Sequence, residues 1–225
     1  KMSMPKRISA TVEEYLETIY RLQERSGVAR TSDLVVMLEV APGTVTNTID
    51  RLERDLLVIH KPYKGVQLTD RGRKIAISVI RRHRLLECLL ADFLGVEWEK
   101  SHEIACSLEH WISEDIAKKI ERVLNYPKTC PHGNPIPTEL GEIIEEGAYP
   151  LTMSEVGEKV IIVKIIEEKP EFLRYFSKLG IRPKKQIEIV DKGPLNDPIA
   201  IKIDGKVQAL NRKVASSIMI RRIQI

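Results

Sequence analysis

No run of about 18 apolar residues occurs anywhere in the chain, which argues against a hydrophobic membrane-spanning helix. Lys1–Ala10 likewise lacks the apolar stretch and small-residue cleavage site of an export signal. Cysteine is scarce. Cys88, Cys106 and Cys130 are an odd count in 225 residues, too few for a disulfide framework, so reduced thiols, a cytoplasmic setting and no membrane partner are expected. Also missing are a phosphate-cradling glycine loop, a nucleophile elbow and a zinc-protease motif, so the chain does not read as an enzyme. There is no repeat at solenoid period and no low-complexity tract.

What is present suffices for packed cores: 43% of residues are hydrophobic and 30% charged. The net charge of +4 is unevenly spread. Residues 1–75 carry 13 Lys/Arg against 10 Asp/Glu, residues 76–145 carry 8 against 12, and residues 146–225 carry 15 against 10. Basic ends suit a polyanion, and an acidic centre suits cations or a solvated helix face.

Apolar residues at Val12, Tyr15, Leu16, Ile19, Tyr20 and Leu22 follow helical spacing, with Thr11 as N-cap and an end near Gly27. A short helix from Thr31 to Leu38, a break at Val40-Ala41-Pro42-Gly43 and a third helix to Asp55 make a helix-turn-helix. Val58–Lys61 and Val66–Thr69 then form a hairpin with a basic, aromatic tip, completing a winged helix. Arg71–Leu94 and Trp98–Leu124 are helical, the latter broken near Ser113, and four prolines from Pro127 to Pro137 end the helical region. Beyond Tyr149 the pattern turns to strands at Lys159–Ile166, Gln186–Asp191, Ile199–Ile203 and Lys206–Leu210, with one helix at Pro170–Leu179.

The fold class is therefore α+β and multidomain. It divides into a winged helix-turn-helix over residues 1–75, an all-helical domain over 76–145 with a proline-rich tail, and a small SH3-like β-barrel over 150–225.

Potential metal ligands concentrate in the acidic middle. His83 and Glu87 stand at i,i+4, while His102, Cys106, Glu109 and His110 fall within an arc of roughly 100° of one helix. Such a mixed S/N/O set suits a first-row divalent metal, whereas magnesium and calcium favour oxygen shells. An exposed charged helix face with Cys106 in the core has equal claim on spacing alone. Glu13, Glu14 and Glu17 form a second acidic group on the first helix, and Glu14 with Glu17 at i,i+3 could complete a metal shell. Cys130-Pro131-His132 lacks the spaced pairs of a zinc finger and reads as structural. For nucleic acid, the third helix offers Thr44, Thr46, Asn47 and Arg51, and the wing offers Tyr63 and Lys64. Winged helices also serve protein contacts.

Arg82-His83-Arg84-Leu85-Leu86-Glu87, Gly95-Val96-Glu97-Trp98-Glu99, His102-Glu103-Ile104-Ala105-Cys106, Glu109-His110 and Pro131-His132-Gly133-Asn134-Pro135-Ile136-Pro137 resemble, in this order, stretches typical of the diphtheria-toxin-repressor family of metal-dependent transcriptional repressors. The resemblance implies a homodimer on palindromic half-sites of a double-stranded DNA operator, with a FeoA-like, SH3-like C-terminal domain. It places Glu14, Cys106, Glu109 and His110 in a regulatory metal site, with Glu17 as a possible addition. It places His83, Glu87 and His102 in an ancillary site, with Glu171 as the further ligand and Glu168 as its alternative.

Thr44, Thr46 and Asn47 match the DNA-reading positions, Asn47 where the iron-dependent members usually have glutamine. Glu14 stands where those members have methionine and the manganese regulators a carboxylate. Cys106 stands where the manganese regulators have glutamate. The thiolate favours Fe(II) as corepressor, with Mn(II) as the alternative and Co(II), Ni(II) or Zn(II) able to bind in vitro. The resemblance further implies that metal joins the first helix to the middle domain and so sets the spacing of two recognition helices. A metal-independent interaction scaffold is the reading of another class.

Overall fold

The computed structural model describes residues 8–61 and 64–223, and it divides into two units. The first contains residues 8–82, 110–114 and 137–142; the second contains 83–109, 115–136 and 143–223. Tyr63 and part of the wing tip lie outside the described residues.

In the first unit, α1 (Ala10–Ser26) starts at Ser9, whose hydroxyl accepts from the Val12 amide at 3.4 Å, and ends on the left-handed Gly27. The expected cap was Thr11. Ser9 takes that role because its backbone is extended while Thr11 already lies in the helix. α2 (Thr31–Leu38) and α3 (Pro42–Arg54) follow, α3 opening with proline at its first position. Val45, Ile49 and Leu52 of α3 pack inward with Leu16, Ile19 and Leu34. Strands β1 (Val58–Lys61) and β2 (Gly65–Leu68) pair antiparallel, and the Val66 amide donates to the Ala29 carbonyl at 2.8 Å. This is the expected winged helix. α4 (Asp70–Cys88) belongs to this unit as far as Arg82.

The second unit takes the end of α4, which passes at Leu89–Phe93 into a wider π-type turn closed by the Leu94 amide on the Leu89 carbonyl at 2.9 Å. α5 (Trp98–Leu108) and α6 (Glu114–Val123) follow, with the break near Ser113 where it was expected. The C-terminal part is a six-stranded antiparallel sheet in the order β3-β8-β4-β5-β6-β7, formed by β3 (Tyr149–Pro150), β4 (Lys159–Ile165), β5 (Gln186–Lys192), β6 (Ile199–Ile203), β7 (Lys206–Leu210) and β8 (Ile218–Arg222). Two helices, α7 (Pro170–Leu179) and the short α8 (Arg212–Ala215), lie between strands in sequence. β3 and β8 were not read from the sequence. Both are short, yet β8 pairs with β4 from Val160 to Ile165 and is central to the sheet. Its core holds Ile162, Ile165, Phe176, Ile189, Ile201 and Ile218, and Trp98 of α5 is buried in the same cluster. That single indole anchors the start of the helix carrying His102 and Cys106.

Candidate metal centre

Among the described residues, two sets of donor atoms converge within the second unit, each with its atoms within 4.8 Å of one another. The first is His83, His102 and Cys106; the second is Glu87, Cys130, His132 and Glu168.

α4 and α5 build the first set. His83 and Glu87, one turn apart on α4, are both buried, and His83 Nε2 lies 2.9 Å from Glu87 Oε1. His83 Nδ1 faces Glu109 Oε2 at 2.5 Å. His102 Nδ1 contacts the same Glu87 Oε1 at 2.9 Å, and the Cys106 sulfur lies 3.6 Å from His102 Nε2 and 3.9 Å from His83 Nδ1. The helical arc thus delivers His102, Cys106 and Glu109 onto the α4 pair. Cys106 is exposed as a residue and Glu109 is buried.

Protons hold this network together. Burial pulls His83 down, but the Glu87 charge and hydrogen bonds to Cys106, Glu109 and Glu87 outweigh it and leave His83 well above its ordinary value. Burial also opposes His102, yet Cys106, Glu87 and Glu168 raise it to about 10. Desolvation raises Cys106, while its hydrogen bonds to His102 and His83 bring it down to about 6. Glu87 is raised by burial and lowered further by His83 and His132, ending well below the usual carboxylate range. A metal taking these donors must therefore displace imidazolium protons. We expect release of about two protons per metal at pH 7, with log affinity climbing about two units per pH unit until His102 deprotonates near pH 10. Calorimetry in buffers of different ionisation enthalpy measures this, and release below one proton would refute the paired imidazoliums.

The second set is assembled by the proline-rich loop. Gly133 has φ +85°, and a Cβ there would lie 2.1 Å from the Val163 carbonyl oxygen, so only glycine lets the loop press onto β4. The Ile165 amide donates to the His132 carbonyl at 2.9 Å, and Trp98 Nε1 donates to the Pro131 carbonyl at 2.9 Å. Asn134 Nδ2 donates to the Ile165 carbonyl at 2.9 Å and to Glu168 Oε1 at 2.8 Å. Glu168 is buried, with Oε2 3.9 Å from His102 Nδ1. Glu171, in the first turn of α7, is exposed and belongs to neither set, so of the two candidates named above the fold brings Glu168 to the cluster. Proline at the start of α7 leaves Glu168 on the preceding segment that Asn134 grips. Cys130 and His132, read from sequence as merely structural, were missed as donors because nothing in their local spacing marks them.

In the first unit, His110 Nδ1 pairs with Glu13 Oε2 at 2.7 Å, and Arg82 donates to Glu13 Oε1 at 2.8 Å. Glu13 was the acidic residue of α1 given least weight. Glu14 is exposed, and Glu17 is buried in an ion pair with Arg21 at 2.8 Å. On α3, Thr44, Thr46, Asn47 and Arg51 all lie on the exposed face opposite Val45, Ile49 and Leu52, and Lys64 is exposed in the wing. That is the placement a base-reading helix requires.

Family models match three stretches of the chain: the iron dependent repressor N-terminal DNA binding domain at residues 7–66, the iron dependent repressor metal binding and dimerisation domain at 69–138, and the FeoA domain at 149–222. The diphtheria toxin repressor of Corynebacterium diphtheriae is 34% identical over 224 residues, covering 95% of this chain and 97% of that protein. The iron-dependent repressor IdeR of Mycobacterium tuberculosis is 44% identical over 140 residues, and the match spans 61% of each chain. A solved manganese-dependent transcriptional repressor in complex with manganese superposes with a TM-score of 0.84 at 30% identity, covering 94% of this chain and 100% of that one.

Proposed function

Because the chain belongs to the diphtheria-toxin-repressor family, we propose that it is a metal-responsive DNA-binding repressor of metal-homeostasis genes, with Fe(II) as corepressor. The observation that carries this reading is the convergence of the Cys106 thiolate with imidazoles and carboxylates of α4 and α5, a donor whose softness favours iron over manganese. In this reading Glu14, Cys106, Glu109 and His110 hold the regulatory metal, and His83, Glu87, His102 and Glu168 the ancillary one. Glu17, tied to Arg21, is left outside both. With His110 Nδ1 engaged by Glu13, a metal is taken by Nε2, and the carboxylate fixes the tautomer and orientation of the ring. Manganese is the second reading, supported by the carboxylate at Glu14 and by the manganese-bound structural relative.

The protein acts in this proposal as a cytoplasmic homodimer on a palindromic operator, the exposed Phe93 and Leu94 suiting a dimer face. Among the described residues no helix is long and apolar enough to cross a membrane. Thr44, Thr46 and Asn47 read bases, while Arg51 and Lys64 meet phosphates. A bound metal biases the recognition helices towards the DNA-competent arrangement only as far as it prefers that state. The protein's own residues supply the orientation, and the metal supplies the difference in free energy.

Anaerobic binding to the protein's upstream DNA, with Fe(II) or Mn(II) added at fixed salt, tests the proposal. Metal should tighten binding, and chelation should reverse it. Arg51→Ala should weaken binding about equally on all sequences and reduce the salt slope by about 1, whereas Asn47→Ala should relax base preference. DNA affinity indifferent to both metals would leave only a constitutive winged-helix binder.

A further inference from the structure

Glu87 and Glu168 of the second donor set are ancillary ligands in the reading above, whereas Cys130 and His132 belong to neither assignment. Two observations point to a ligand there. His132 is fully buried, and its Nε2 stands 3.2 Å from the Trp98 carbonyl, which can only accept, so Nε2 carries the proton. His132 Nδ1 lies 3.1 Å from Glu87 Oε1, without hydrogen-bond geometry to any described atom. Glu87 is equally unusual. Three imidazole nitrogens, from His83, His102 and His132, crowd one of its oxygens at 2.9, 2.9 and 3.1 Å, while buried Oε2 has no partner. A buried carboxylate oxygen and a buried imidazole nitrogen left without a hydrogen bond cost free energy unless a ligand meets them.

We infer that Cys130 Sγ and His132 Nδ1, both from the proline-rich loop, join Glu87 and Glu168 in a buried four-ligand centre for a divalent first-row metal, the two carboxylates being shared with the ancillary site proposed above. The ligands fit. In a tetrahedral shell with bonds of about 2.0–2.3 Å, donor atoms stand roughly 3.3–3.8 Å apart, so the observed grouping needs only a modest contraction. The outer contacts are those of a metal site: a backbone carbonyl fixes the His132 tautomer, and the Asn134 amide orients Glu168. Four protein ligands leave no open position, so the centre is structural and ties the loop to Glu168 beyond β4. Cys130 also lines a cavity of about 290 Å³ with Thr129, Pro131 and Gly133, an approach for the ion.

Cobalt(II) titration of the full chain tests this without DNA, so its result is independent of whether metal stimulates operator binding. Cys106→Ala removes the thiolate of the first set. In that background a thiolate-to-cobalt charge-transfer band should persist, and adding Cys130→Ser should abolish it and lower the bound cobalt by one per chain. His132→Gln in the same background should weaken cobalt binding at least tenfold. Far-UV circular dichroism scores folding of each variant. A folded Cys106→Ala protein without the band, or a band that survives Cys130→Ser, overturns the inference.

Discussion

Glu87→Gln is expected to destabilise the metal-free protein by about 3–5 kcal/mol near pH 6, the range for removing one partner from a buried ionic network. The size follows from position: Glu87 is fully buried and faces three histidines, two of them held protonated above their ordinary range. The sign with pH is set by both sides of the network. Glu87, held low, contributes above its unfolded value of about 4.5 and loses that contribution as acid protonates it in the fold. His83 and His102, held high, contribute fully below about 6.5 and lose that contribution as pH rises through their folded values, about 10 for His102. The substitution should therefore cost most between roughly pH 4.5 and 6.5 and progressively less towards pH 10. Urea unfolding of the chelator-treated variant and wild type at pH 6 and pH 9 measures this. An equal loss at the two pH values would mean that Glu87 acts by shape, not charge.

The same residues mark the reach of sequence reading. His83 with Glu87, and His102 with Cys106 and Glu109, were legible because a helix converts spacing into a shared face, and the helices formed where expected. Glu13 was less legible. It adjoins Glu14, and only the arrival of His110 and Arg82 distinguishes the engaged carboxylate from the exposed one. Cys130 and His132 were illegible as donors because a loop has no period. Their placement depends on Gly133 fitting against Val163 and on Trp98 bridging to Pro131, contacts 30 or more residues apart in sequence. β8 escaped for a related reason. Five residues ending in two arginines carry a weak alternation, and their place beside β4 is decided by tertiary pairing.

Cys106 carries the largest expected effect on metal response. Cys106→Ala should raise the Fe(II) concentration needed for half-maximal operator binding by at least about 100-fold, equivalent to roughly 2.7 kcal/mol. The thiol is held near pKa 6 by His83 and His102, so it is a thiolate at neutral pH and ready to ligate. Its identity also sets the preference between metals. With equal ligands Fe(II) already binds more tightly than Mn(II), and a soft thiolate widens that gap. Cys106→Glu replaces it with a hard oxygen, so the Fe(II) to Mn(II) preference in DNA binding should narrow at least about tenfold while activation survives. The titrations must be anaerobic, since an exposed thiolate of this kind oxidises readily, and at one salt concentration, since phosphate contacts make DNA affinity steeply salt-dependent. Loss of activation in Cys106→Ala with no change of preference in Cys106→Glu would keep Cys106 as a ligand but move metal selection elsewhere in the shell. Full Fe(II) activation of Cys106→Ala would remove the thiolate from the regulatory mechanism.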